Sequence, residues 1–208
     1  LVEKKSVSLD IELNQEKILL LSGPNAGGKT VVLKSIGLYV LMAQCGLYIP
    51  AKKAQFPVYT KFMADIGDQQ SMENDLSTFS AHIKNLATIV AEANENSLIL
   101  LDELGTGTDP DAGAALSRAI MEFFIKKHCT VIATTHLGSL KVWASDEKGI
   151  INGGMIFDSD ALAPTYELQL GTPGASYALE ISKRMGLSED IINWSSELVG
   201  YGSVNLEN

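Results

Sequence analysis

The 208-residue sequence has only two cysteines, Cys45 and Cys129, too few for a disulfide framework. Free thiols in the core are the plain expectation for both, and a reducing, cytoplasmic compartment fits them. No apolar run reaches the ~20 residues needed to span a bilayer. No charged stretch leads into an apolar one at the start, so no signal peptide is expected either. Basic residues are scarce: 16 Lys and Arg stand against 25 Asp and Glu, a net charge of −9. A module that coats nucleic acid needs a local excess of Lys and Arg, so that role is excluded, although one small basic site is not. Internal repeats and low-complexity tracts are missing. What is plentiful is apolar residue, at 46% against 20% charged. That balance excludes a disordered acidic tail, and a chain of this length can bury roughly 70% of its unfolded surface in one large domain. The first residue is Leu1, and the expectation is a fragment of a longer protein.

Val7, Leu9, Ile11 and Leu13 alternate with polar residues, a period of two that predicts a half-buried antiparallel strand near the N-terminus. Three continuous apolar runs, 17–22, 97–102 and 130–135, predict strands buried on both faces. Helical spacing predicts helices from Thr30 through Leu33, Ile36, Val40 and Leu41, around Ile83, Leu86, Ala87 and Val90 with Ser80 as a cap, and after Gly113 through Leu116, Ala119, Ile120, Phe123 and Phe124. Pro50 and Pro57 bracket an irregular stretch, and 150–170 reads as short strand-like pieces. Two closing helices are expected at 177–186 and 188–198. Strands of this kind alternating with helices predict an α/β fold: a mostly parallel sheet with helices on both faces.

Gly23-Pro24-Asn25-Ala26-Gly27-Gly28-Lys29-Thr30 matches G-x-x-x-x-G-K-[ST], after a buried strand and before a helix. Glycines there let backbone N–H groups turn toward phosphates, and the helix N-terminus adds partial positive charge. Lys29 would reach the β- and γ-phosphates, and the Thr30 hydroxyl would sit on Mg²⁺. Leu98-Ile-Leu-Leu-Asp102-Glu103 brings two acids to the end of a buried strand. Asp102 suits Mg²⁺, and Glu103 suits polarising a water for attack. Ser77-Thr78-Phe79-Ser80 is placed before a helix, where hydroxyls at its N-terminus would make a second anion site. His136 closes the third buried run and could contact a γ-phosphate. Asp65, Asp68 and Gln69 lie in a polar stretch, where Gln69 fits either a sensor of Mg²⁺ or water, or a plain loop.

This order of motifs resembles the ABC-type P-loop ATPases, and within them the MutS family. G-P-N-A-G-G-K-T is similar to that family's phosphate loop, S-T-F-S to its signature, and D-E-L-G-T-G-T-D-P to its acidic run. Longer stretches, among them A-D-I-G-D-Q-Q-S and P-T-Y-E-L-Q-L-G-T-P-G-A-S-Y-A-L-E-I-S-K-R-M-G-L, resemble the second bacterial branch of MutS. That branch suppresses recombination, acts on branched DNA or stalled ribosomes, and often carries a C-terminal Smr nuclease domain. The likeness spans 1–198, with 199–208 expected as a flexible tail. It implies an ATPase that uses ATP and Mg²⁺, with residues 23–31, including Val31, around the nucleotide, Lys29, Glu103 and His136 in catalysis, and Thr30 and Asp102 on the metal. It also implies a homodimer in which Ser77 completes the partner's site, with the 171–198 segment helping to hold the pair. DNA, mismatched or branched, or a ribosome would be bound by domains outside the chain, and an endonuclease domain would lie there too. Two alternatives stand beside this reading. One is an ABC-transporter engine, against which the absence of L-S-G-G-Q speaks. The other is a nucleotide-gated binding module with little hydrolysis.

Overall fold

A computed structural model describes residues 6–24, 27–67, 75–158, 161, 163–175 and 177–204, with only the helical backbone at 75–78 and 199–204. Among the described residues, six strands and six helices follow in the order β1 (Ile18–Ser22), α1 (Lys29–Gln44), β2 (Lys61–Asp65), α2 (Asp75–Glu92), β3 (Ser97–Leu101), α3 (Pro110–Lys126), β4 (Thr130–Thr134), α4 (Gly138–Asp146), β5 (Ile150–Asp158), β6 (Ala163–Leu170), α5 (Ala178–Arg184) and α6 (Glu189–Val204). The sheet order is β2-β3-β4-β1-β5-β6. All neighbours are parallel except β5 and β6, which pair antiparallel. The expected α/β architecture is therefore present, and its three continuous apolar runs are the three central strands.

Those runs are continuous because both faces of the sheet are covered. Along β1, Ile18 and Leu20 enter one core, while Leu19 and Leu21 enter the other. β3 and β4 divide in the same way: Ile99, Leu101, Val131 and Ala133 face the first core, Leu98 and Ile132 the second. Helices α2, α3 and α4 supply the first core through Leu86, Ile89, Met121, Phe124, Leu140 and Ala144. Helix α1 supplies the second through Val32, Leu33 and Val40. It lies so close to β3 that a Cβ on Gly37 would stand 2.4 Å from Leu100.

Several expectations are corrected. Residues 7–13 form no strand; the alternation buries Leu9, Ile11 and Leu13 partly against the second core, but without ladder hydrogen bonds. The antiparallel pairing lies instead at the other edge, in β5–β6. The stretch between Pro50 and Pro57 is irregular as expected, but an unforeseen strand, β2, follows it and ends on Asp65, the first residue of the polar stretch. Helix α2 begins at Asp75, so Ser77–Ser80 occupy its first turns and Ser80 is no cap. The stripe that α3 buries is Gly113, Ser117, Met121 and Phe124, while Leu116 and Ala119 are exposed. On α1, Leu41 is likewise exposed. Of the two thiols Cys129 is buried but Cys45 is exposed. Helix α6 continues beyond Leu198 to Val204.

Helix α3 shows how local signals set these boundaries. The Asp109 carboxylate accepts from the N–H groups of Asp111 and Ala112 at 3.1 and 3.0 Å, and Pro110 takes the first helical position. Phe124, fully buried beneath β3 and β4, is the largest side chain in that core. Phe124→Ala should cost about 3–5 kcal/mol of unfolding free energy, measured by urea denaturation of the isolated domain.

Candidate active site

Parallel packing brings the carboxyl ends of β1, β3 and β4 to one edge of the sheet, the place where ligands bind in folds of this class. β1 delivers Gly23, with φ +128°, and Gly28 follows at φ +91°. Both angles favour glycine. The loop rests on Met155 of β5, which stands 3.1–3.2 Å from where a Cβ on Gly23 or Gly27 would lie. Asn25 and Ala26 lie outside the described residues. Pro24 accepts from the Gly27 N–H at 2.9 Å, which closes the turn. Val31 points outward from α1.

Lys29 opens α1 and is only 4% exposed. Its Nζ donates to the carbonyls of Gly23 and Pro24 at 2.8 and 3.0 Å. Desolvation lowers its pKa from 10.5 to about 8; the charges of Glu103 and Asp102 oppose the shift, and that of Lys141 adds to it. Its neighbour Thr30 donates through Oγ1 to Asp102 Oδ1 at 3.3 Å.

The same carboxylate oxygen accepts from Thr134 Oγ1 at 2.6 Å, and that hydroxyl in turn accepts from the Glu103 N–H at 2.8 Å. Thr134 is fully buried. It fixes Asp102 and holds Glu103 in its left-handed turn, φ +51°, a conformation uncommon outside glycine. Further bonds knit the three strand ends: Leu104 N–H donates to the Thr134 carbonyl at 2.9 Å, and Thr135 N–H to Leu21 at 3.0 Å. His136 follows directly. Desolvation lowers its pKa first, then the charge of Lys29, with Lys141 also contributing, so the imidazole is favoured in its neutral form.

The strand ends thus unite Lys29, Thr30, Asp102, Glu103 and His136. Ser77 belongs to the first turn of α2. That helix packs into the core opposite to that of α1, and Phe79, two residues on, lines one cleft with Asp102 and Glu103. Ser77's side chain, Asp68 and Gln69 lie outside what is described.

Four contributors, Thr134, Lys141, Gly174 and Tyr166, were missed from sequence. Thr134 was read only as the end of an apolar run. Lys141 of α4 donates to the Gly174 carbonyl at 3.0 Å, and the Gly174 N–H donates to Ser22 Oγ at 2.8 Å. A Cβ on Gly174 would stand 2.5 Å from the Ser22 carbonyl, so the turn 171–174 lies tight beneath the phosphate loop. Tyr166 of β6, with φ +62° and 53% exposed, sets its ring 3.2 Å from the Cβ position of Gly28. Only the resemblance of P-T-Y-E-L-Q-L-G-T-P-G to a known stretch hinted at the last two. Thr134→Val keeps the shape but leaves Asp102 and the Glu103 N–H short of a partner. It should lower stability by about 1–3 kcal/mol, read by chemical denaturation.

Comparison with known proteins agrees with this geometry. Residues 19–200 match the family described as MutS domain V. The chain is 48% identical over 96% of its length to Endonuclease MutS2 of Thermus thermophilus, and 48% identical over 99% to that of Finegoldia magna. It is 51% identical over 86% of its length to that of Shouchella clausii. The chain spans about a quarter of the length of these relatives. By its fold, its phosphate loop and these matches, the chain belongs to the MutS family, as a domain V of the MutS2 branch.

Proposed function

We propose that this domain binds and hydrolyses ATP with Mg²⁺. The observation that carries the reading is the convergence, on one edge of the sheet, of a nearly buried lysine over a glycine loop with the Thr30–Asp102 pair. Lys29 is held on the carbonyls of its own loop, from which an incoming phosphate would draw it. Residues 23–31 would wrap the phosphates. Thr30 and Asp102 offer hard oxygen donors on facing elements, the chemistry that Mg²⁺ selects; once bound, the ion would neutralise charge on the β- and γ-phosphates. Glu103, in the turn that follows β3, polarises the attacking water. His136, favoured neutral, donates to the γ-phosphate. Tyr166, an aromatic face beside Gly28 and open to solvent, suits the base.

The packing of α1 and α2 on opposite faces of the sheet supports a composite site, in which α2 of one protomer serves the nucleotide of another. An apolar stripe on α6 supports the same dimer: Ile191, Trp194 and Leu198 recur at helical spacing and are exposed, Trp194 by 72%. ATP-driven rearrangement of that dimer would move DNA- or ribosome-binding parts of the full-length protein, to suppress recombination or to act in a repair-like role. Any nuclease activity would belong to those parts too. No helix among the described residues is long and apolar enough to cross a membrane.

Glu103→Gln should retain ATP binding and lose steady-state phosphate release; undiminished release would remove Glu103 from its role. Lys29→Ala should weaken nucleotide binding, measured with a fluorescent ATP analogue. Mixing Lys29→Ala with Ser77→Ala chains should regain turnover that neither has alone, because each mixed dimer keeps one intact site. Absence of any recovery would show that the site is not shared.

A further inference from the structure

A small cleft lies behind the strand end that carries Glu103, between α2, α3 and the turn after β3. Its lining includes Asp65, Phe79, His82, Glu103 and Ser117, and its volume of about 30 Å³ holds one or two waters. On the α2 side, His82 Nδ1 stands 2.7 Å from Asp65 Oδ2, with both side chains mostly buried. The other oxygen of Asp65 accepts from Asn85 Nδ2 at 2.8 Å. The Asp65 carbonyl accepts from the Asp102 N–H at 2.9 Å, which registers the pair one residue away from Glu103. A carboxylate on Nδ1 places the ring proton there and leaves the lone pair on Nε2. Among the described residues, the ring makes no other hydrogen bond.

We propose that His82, oriented by Asp65, accepts the proton that Glu103 takes from the attacking water. The proposal rests on the ATPase reading and deepens it. As the water oxygen bonds to the γ-phosphorus and the bond to the ADP oxygen breaks, the water's proton passes to the Glu103 carboxylate. It then moves through a water in the cleft to His82 Nε2. Glu103 returns to its charged form, and the imidazolium stands against the Asp65 carboxylate. The charged groups lining the cleft are Asp65 from β2 and Asp102 and Glu103 from the end of β3, all acidic. The lining residues of α3, Gly113, Leu116, Ser117 and Ile120, carry no charge. His82 acts through Glu103 without touching nucleotide, so it is a positioning residue.

His82→Asn separates this role from a purely structural one. The Asn amide keeps a donor near the Nδ1 position for Asp65 and removes the Nε2 acceptor. In the full-length protein, His82→Asn should bind ATP as tightly as the unaltered protein. Its kcat should fall on the order of tenfold, within the range that acid–base groups contribute, and the acid limb of its kcat–pH profile should change, with Glu103 as the base that remains. His82→Ala should show the same loss of kcat together with a lower Tm. Unchanged kcat and pH profile in His82→Asn, with only His82→Ala impaired, would make the pair a structural clamp and overturn the proposal. A parallel loss of ATP affinity in His82→Asn would overturn it equally. If Glu103→Gln itself turns over normally, the ATPase reading fails on its own account. If Glu103→Gln is inactive while His82→Asn is normal, the role of His82 alone falls.

Discussion

The hydrogen bond from Thr134 Oγ1 to Asp102 Oδ1 is the point on which the candidate site turns. It joins the ends of two parallel strands whose side chains would otherwise settle independently. Thr134 uses one hydroxyl both to donate to Asp102 and to accept from the Glu103 N–H. A single buried group therefore fixes where the Asp102 carboxylate lies and how the chain leaves β3. That exit carries Glu103 in a left-handed conformation, and the next carbonyls and hydroxyls continue the lattice: Thr106 Oγ1 donates to the Glu103 carbonyl and Thr135 Oγ1 to that of Leu104. A turn held this tightly presents its carboxylate without having to be ordered by substrate, which is the preorganisation that electrostatic catalysis requires.

Electrostatics explains why so acidic a chain can offer a phosphate site. The net charge of −9 is a property of the whole surface; a phosphate responds to what lies within a few ångströms. There the carbonyls of Gly23 and Pro24 face the ammonium of Lys29, and Lys141 lies close enough to shift both Lys29 and His136. Burial makes the charge of Lys29 easier to lose than that of an exposed lysine. The acids Asp102 and Glu103 oppose that loss. The site is poised by two positive and two negative groups in partial desolvation, a balance invisible in the sum.

Legibility in the sequence followed the range of the forces involved. The phosphate loop, the β3 acids and His136 were readable because each stands at the end of a strand whose burial on both faces leaves an unbroken apolar run. Asp109 and Pro110 were readable in the acidic run, but their capping of α3 is a local fact of geometry. β2 was missed because an edge strand buries only alternate residues, and Lys61 and Asp65 gave its ends a polar cast. Helix α4 was missed because it opens on glycine after Leu137, with no side-chain cap to announce it. The alternation at 7–13 truly reports which residues face inward, but a period of two says nothing about whether a neighbouring strand is there to pair. Asp65–His82 and Lys141–Gly174 join residues 17 and 33 positions apart; no spacing rule connects them, and only the folded sheet does.

The division of the core into two faces sets the terms on which such a domain can respond to nucleotide. Helix α1 follows the phosphate loop on one face, while α2 carries the S-T-F-S turn on the other, anchored to the sheet edge by Asp65. Were α2 to leave β2, Leu86 and Ile89 would be exposed. Uncovering two such side chains costs several kcal/mol at about 1.5–3 kcal/mol each, a large part of a domain's whole stability. A second protomer can supply the same turn with no core broken at all. Moving α2 off its own sheet is therefore the expensive motion, and Asp65, through His82 and Asn85, holds the helix in place.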